Sequence, residues 1–212
     1  MTNYPKVVTT YLPQLAWLLS ASVIAVAVFA WGSSWQWHLG SLTTYQVFPI
    51  FGLVAFSTMW SQYMVATAIQ YLGISSKALH NYFRITGFIV LAAIMLHPGM
   101  LVWQLWRDGL GLPPHSYLHY VAPSLRWVAL LGTVSFLIFI AYELRYKYGN
   151  RSWWRFMEYL VDLAILAIFY HALRLGTQTK INWIRTVWYF YGTTLIAALL
   201  YKYIGKYNAR FE

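Results

Sequence analysis

Apolar residues come along this chain in blocks of about 18 or more that carry few charges, and each block is apolar on every side. A helix of that length crosses a hydrocarbon core of about 30 Å. The two-residue alternation that a membrane β-barrel requires is missing, which leaves helices as the way to satisfy backbone groups in lipid. The pattern predicts six spans, at about 10–31, 45–70, 80–106, 124–146, 155–176 and 183–204. Short polar breaks separate them: Gly32-Ser33-Ser34, Gly73-Ile74-Ser75-Ser76, the Gly/Pro-rich stretch 108–123, Tyr148-Gly149-Asn150 and the stretch 176–182. Pro49 and Pro98 fall inside the second and third spans, where each predicts a kink or a helix end. The expected fold is all-α, a polytopic membrane protein built as one six-transmembrane-helix bundle over residues 1–212.

Composition points the same way. With 60% apolar and 9% charged residues and a mean hydropathy of +0.51, the chain has too few charges for a water-facing surface, since soluble domains carry about 25%. Only Lys6 precedes the first block, which is longer than a signal-peptide core and lacks a convincing cleavage site; it is read as the first membrane helix. The net charge of +10 is scattered between apolar blocks instead of gathered in a stripe, so it reads as a topology signal and no nucleic-acid partner is expected. Lys6, Lys77, Arg84, Arg145, Lys147, Arg151, Arg155, Lys202, Lys206 and Arg210 lie on one side, ten in all, against the five of Arg107, Arg126, Arg174, Lys180 and Arg185. That asymmetry places both termini in the cytoplasm, with a bacterial inner (plasma) membrane as the expected location. Trp31, Trp35, Trp103, Trp106, Trp127, Trp153, Trp183 and Tyr201 sit at segment ends, where amphipathic rings prefer the interface.

The absence of cysteine excludes disulfides, iron–sulfur ligation and covalent c-type haem attachment. Six histidines remain: His38, His80, His97, His115, His119 and His171. Counted from the cytoplasmic side, His97 lies seventeen residues into the third span and His171 sixteen into the fifth. At about 1.5 Å per residue both imidazoles reach nearly one depth in the outer half of the membrane. Two histidines at one level on parallel helices form the axial pair of a six-coordinate haem iron. The bland reading is a hydrogen-bonded polar residue in a bundle. Ionisable groups inside spans are rare and costly, which favours function.

These residues carry a resemblance. Arg84-Ile85-Thr86-Gly87 followed by Leu96-His97, then Trp154 and Tyr170-His171-Ala172-Leu173-Arg174-Leu175-Gly176, are similar to the ferric-reductase-like transmembrane domain family. That family includes ferric reductases, NADPH oxidases and haem-binding membrane subunits of bacterial periplasmic methionine-sulfoxide reductase systems. The resemblance covers roughly residues 84–176 and implies one b-type haem held by His97 and His171. Family members often hold a second, inner haem 13 or 14 residues earlier on each helix. Here Phe83, Arg84, Met157 and Glu158 stand at those positions, so the resemblance implies the outer haem alone. Arg84 and Glu158 could neutralise each other there. His80, near the cytoplasmic end, reads as a solvated helix-end residue.

Arg174, one turn beyond His171, and Arg126, with Arg107 nearby, are candidates to bind haem propionates, the alternative being arginines that only mark the interface. His115 and His119 stand four apart in the outer loop, a spacing that can chelate a metal ion such as Fe(III) or Cu(II), or that needs no ligand at all. Glu158 and Asp162 are also four apart, either as a proton path or, as favoured, pairing with Arg155 and Arg84. No Gly-rich dinucleotide fingerprint follows a strand, so no self-contained NAD(P)H-driven reductase is expected. The chain is expected to be a membrane cytochrome b, an oxidoreductase component taking electrons from a quinol or a cytoplasmic flavoprotein to an external acceptor. Quinone or flavin as a second redox group, and a soluble redox partner, stay open. The reading from a different class is a haem-free transporter or an assembly subunit of a larger membrane complex.

Overall fold

The computed structural model describes residues 6–208. Arg210, counted above among the inner positive charges, lies outside them. Among the described residues there is no strand, and six helices of 17 residues or more carry the fold: α1 (Lys6–Ser34), α2 (Thr44–Tyr71), α3 (His80–Arg107), α4 (Arg126–Tyr142), α5 (Trp154–Leu175) and α6 (Asn182–Asn208). Single helical turns at Tyr117–Tyr120 and Arg145–Tyr148 lie in the connections. The fourth segment is shorter than its apolar pattern predicts. It ends at Tyr142, and Arg145–Tyr148 is a separate turn. Pro49 and Pro98 do not end their helices; α2 and α3 run through both.

Four stretches are long and apolar enough on their own to cross a membrane: Thr10–Ser34, Ser76–Arg107, Pro123–Tyr142 and Trp154–Leu175. Helices α2 and α6 are as long but fall short in hydropathy, because polar and aromatic residues replace aliphatic ones along them. In α2 the polar side chains turn inward: Ser57, Thr58 and Ser61 are all buried.

The partition of apolar residues is that of a protein in lipid. Phe88 on α3 is 71% exposed and Leu163 on α5 is 62%, while Ile165, two residues further, is 0%. Large apolar side chains therefore cover the outside as well as the core, as a lipid solvent allows. Helix α2 is the hub, packed along α1 and α3 and touching α6, while α4 packs along α5. The core joins Phe56, Met59 and Trp60 of α2 to Trp188, Tyr191 and Leu195 of α6, with Val90, Phe139 and Ile165 from α3, α4 and α5. Phe56 stacks on Trp188 at 4.9 Å and Trp60 on Tyr191 at 4.4 Å, so aromatic rings fill the seam between α2 and α6.

Candidate functional site

His97 projects from α3 toward α2. Its Nδ1 lies 3.0 Å from the carbonyl oxygen of Phe48, and the ring rests where α2 has a glycine: a Cβ on Gly52 would come within 2.8 Å of the imidazole. His171 repeats the arrangement on the other helix pair. Its Nδ1 lies 2.9 Å from the carbonyl oxygen of Val128 on α4, and a Cβ on Gly132 would come within 2.6 Å of the ring. In both cases the glycine follows the accepting carbonyl by four residues, one helical turn, so each ring lies along a glycine groove below its carbonyl. Forty-nine residues separate Phe48 from His97 (97 − 48) and forty-three separate Val128 from His171 (171 − 128), so the duplication has no fixed period in the sequence.

The hydrogen bonds set the tautomer. A carbonyl oxygen only accepts, so each Nδ1 carries the proton and donates it, and Nε2 of each neutral ring keeps its lone pair. That is the state of a metal-ligating histidine oriented by a backbone carbonyl. The two histidine helices pack on different partners, α3 on α2 and α5 on α4, with no comparable contact between α3 and α5. Two neutral imidazoles, each with a lone-pair nitrogen, are a donor set of the kind a b-type haem takes.

Arg126 begins α4, two residues before Val128. Its Nη2 donates to the Leu118 carbonyl at 2.8 Å, while its Nε is buried without a hydrogen-bond partner. Arg174 is exposed one turn beyond His171, and Arg107 is exposed at the end of α3. Asp108 beside it accepts from the Tyr45 hydroxyl at 2.6 Å and the Gln104 amide at 2.8 Å, and these bonds hold its carboxyl below the ordinary carboxylate range. His115 and His119 are brought together, with ring centroids 5.3 Å apart. His38 and His80 are exposed and stand apart from the site.

The half of the bundle toward the α2–α3 connection is different. The expected pairing of Asp162 with Arg155 or Arg84 is corrected: its cation is Lys202 of α6, with the Tyr203 and Tyr63 hydroxyls as further donors, Tyr63 at 2.7 Å. The reason is tertiary, since α6 lies against α5 and supplies a lysine that the i, i+4 rule along one helix cannot see. Glu158 lines a cleft of about 460 Å³ together with Arg151 and Arg155, and Arg84 is exposed on α3. A second cluster ties three helices: Ser20 Oγ lies 2.8 Å from Ser61 Oγ and 2.9 Å from the Tyr82 hydroxyl, and Gln62 donates to Thr86 at 2.8 Å. None of Phe48, Val128, Gly52, Gly132, Ser20, Ser61 or Tyr82 stands out in the sequence. The one available signal was a glycine inside a bulky apolar helix, occurring once on each helix that precedes a histidine helix.

The chain matches no protein-family model, no curated protein and no solved structure.

Proposed function

We propose that this chain is a membrane cytochrome b in which His97 and His171 would hold the iron of one b-type haem in the outer half of the bilayer. The observation that carries this reading is the duplicated cradle: two intramembrane imidazoles, each with Nδ1 donating to a backbone carbonyl and each seated against a glycine. With Nδ1 donating to a carbonyl, Nε2 is the lone-pair nitrogen of each ring, the state a metal ligand needs. The resemblance of residues 84–176 to the ferric-reductase-like domain supports the same pair.

The topology that belongs with this reading has six spans, with α2 and α6 crossing beside the four more apolar helices. Both termini face the cytoplasm, as ten basic residues against five require, in a bacterial inner membrane. The buried polar residues of α2 suit a helix shielded from lipid by α1, α3 and α6.

Haem b, when bound, supplies one-electron redox chemistry. The protein's part is positional. The Phe48 and Val128 carbonyls fix the orientation of both rings and raise the basicity of Nε2. Arg126 and Arg174 are the residues that would hold the propionates, where charge-assisted hydrogen bonds to carboxylates are strong. Electrons enter from a quinol or a cytoplasmic flavoprotein and leave to an acceptor outside.

The test is an absorbance spectrum of protein purified from haem-replete cells, oxidised and then dithionite-reduced. A Soret band and one haem per chain are expected, with the band lost in His171→Ala. A colourless preparation, or His171→Ala with full haem content, defeats the proposal.

A further inference from the structure

Residues 108–125 connect α3 to α4 on the outer side, and two contacts brace their central turn against both histidine cradles. The Tyr117 hydroxyl lies 2.6 Å from Thr133 Oγ1 on α4, and Thr133 adjoins Gly132, against which the His171 ring rests. The Tyr120 ring stacks on Tyr45 of α2 with centroids 5.5 Å apart and planes 15° apart, and Tyr45 lies three residues before Phe48, whose carbonyl holds His97. Gly111, at φ +79°, supplies the left-handed turn that folds the connection back beside His115. The connection is thus a cap anchored on both sides of the site. Ser116 is fully buried beneath it, while His115 and His119 are exposed on its surface.

We propose that His115 and His119 form an open two-imidazole site for a divalent transition-metal ion at the outer face, with copper(II) the best fit. The rings lie with centroids 5.3 Å apart and planes 68° apart, close enough for one ion to take a nitrogen from each. Imidazole suits late first-row metals, and copper(II) binds nitrogen donors most tightly of them. Among the described residues no group of three or more His, Cys, Asp or Glu gathers to hold a metal, so water or a small ligand completes the coordination. Sites with open positions exchange their contents, unlike the closed four-ligand sites that serve structure. The bracing of the cap gives the pair a fixed place over the bundle, in contrast to two histidines on a free loop. This inference stands without the haem, because the ligands and their geometry belong to the cap.

The experiment titrates copper(II) into the untagged full chain in detergent and follows it by electron paramagnetic resonance, with haem content measured on the same samples. One tight equivalent with coupling to two imidazole nitrogens is expected. His115→Ala and His119→Ala should each weaken binding by at least about tenfold, since even the loss of a ligand's outer partner costs about 10–100-fold. The His38→Ala/His80→Ala double variant should bind copper as the parent does. Wild-type protein with no two-nitrogen signal overturns the proposal, and so does a His115→Ala/His119→Ala variant that keeps it. Haem content unchanged in that double variant separates this result from the fate of the haem reading.

Discussion

Two halves of the bundle, one toward the α3–α4 connection and one toward the α2–α3 connection, use their polar side chains differently. In the first, His97 and His171 each place one ring nitrogen on a backbone carbonyl. In the second, both carboxylate oxygens of Asp162 take donors, and the Tyr82 hydroxyl meets Ser20 and Ser61. A polar group buried in lipid is costly unless it is partnered, so the Asp162 and Tyr82 clusters are what a structural bundle makes of its polar residues. The two histidines repeat one arrangement on two helix pairs, which is what singles them out as the candidate site.

The comparison can be broken at its outer end first. His97→Ala and His171→Ala should each remove nearly all bound haem, measured as haem per chain, while the helix content by circular dichroism stays. Asp162→Ala works on the inner end: Lys202 loses its buried counter-ion, which should cost about 3 kcal/mol of stability in detergent unfolding. Haem per chain in the folded fraction should be unchanged, because the outer cradles are untouched. A variant that kept its stability would show that the inner cluster is not structural.

Gly52→Ala and Gly132→Ala sharpen the cradle itself. Each added Cβ would sit 2.6–2.8 Å from a ring atom, closer than atoms pack, so the imidazole must shift. The expected cost is about 1–3 kcal/mol with a weakened Soret band. Alanine at Gly87, where a Cβ meets nothing within 4 Å, should leave the band intact. The smallest effect belongs to Tyr82→Phe, which removes a hydroxyl shared by Ser20 and Ser61 and should lower stability by about 1 kcal/mol without altering the spectrum.

The six long helices were legible because apolar length is the strongest pattern a membrane chain carries. Even α2 and α6, the two of lower hydropathy, lie within a few residues of the predicted segments. That His97 and His171 fall well inside long helices was legible, since position along a helix is counted directly from the sequence. Their support was not: the groups that orient both rings are backbone carbonyls, which every residue has, and nothing about Phe48 or Val128 distinguishes theirs. The partner of Asp162 was misread for a related reason. Spacing along one helix relates Arg155 to Glu158 and says nothing of a partner for Asp162 on another helix, and only the packing of α6 on α5 brings Lys202 within reach. The break after Tyr142 was hidden because Glu143 and Arg145 pair locally and no proline or glycine marks the end of α4.

The central claim, two imidazoles on one iron, is tested most directly by low-temperature electron paramagnetic resonance of the oxidised wild-type protein. A single low-spin haem species, six-coordinate through both rings, is the result this account predicts. A high-spin haem, or protein from haem-replete cells with no haem signal, would contradict it.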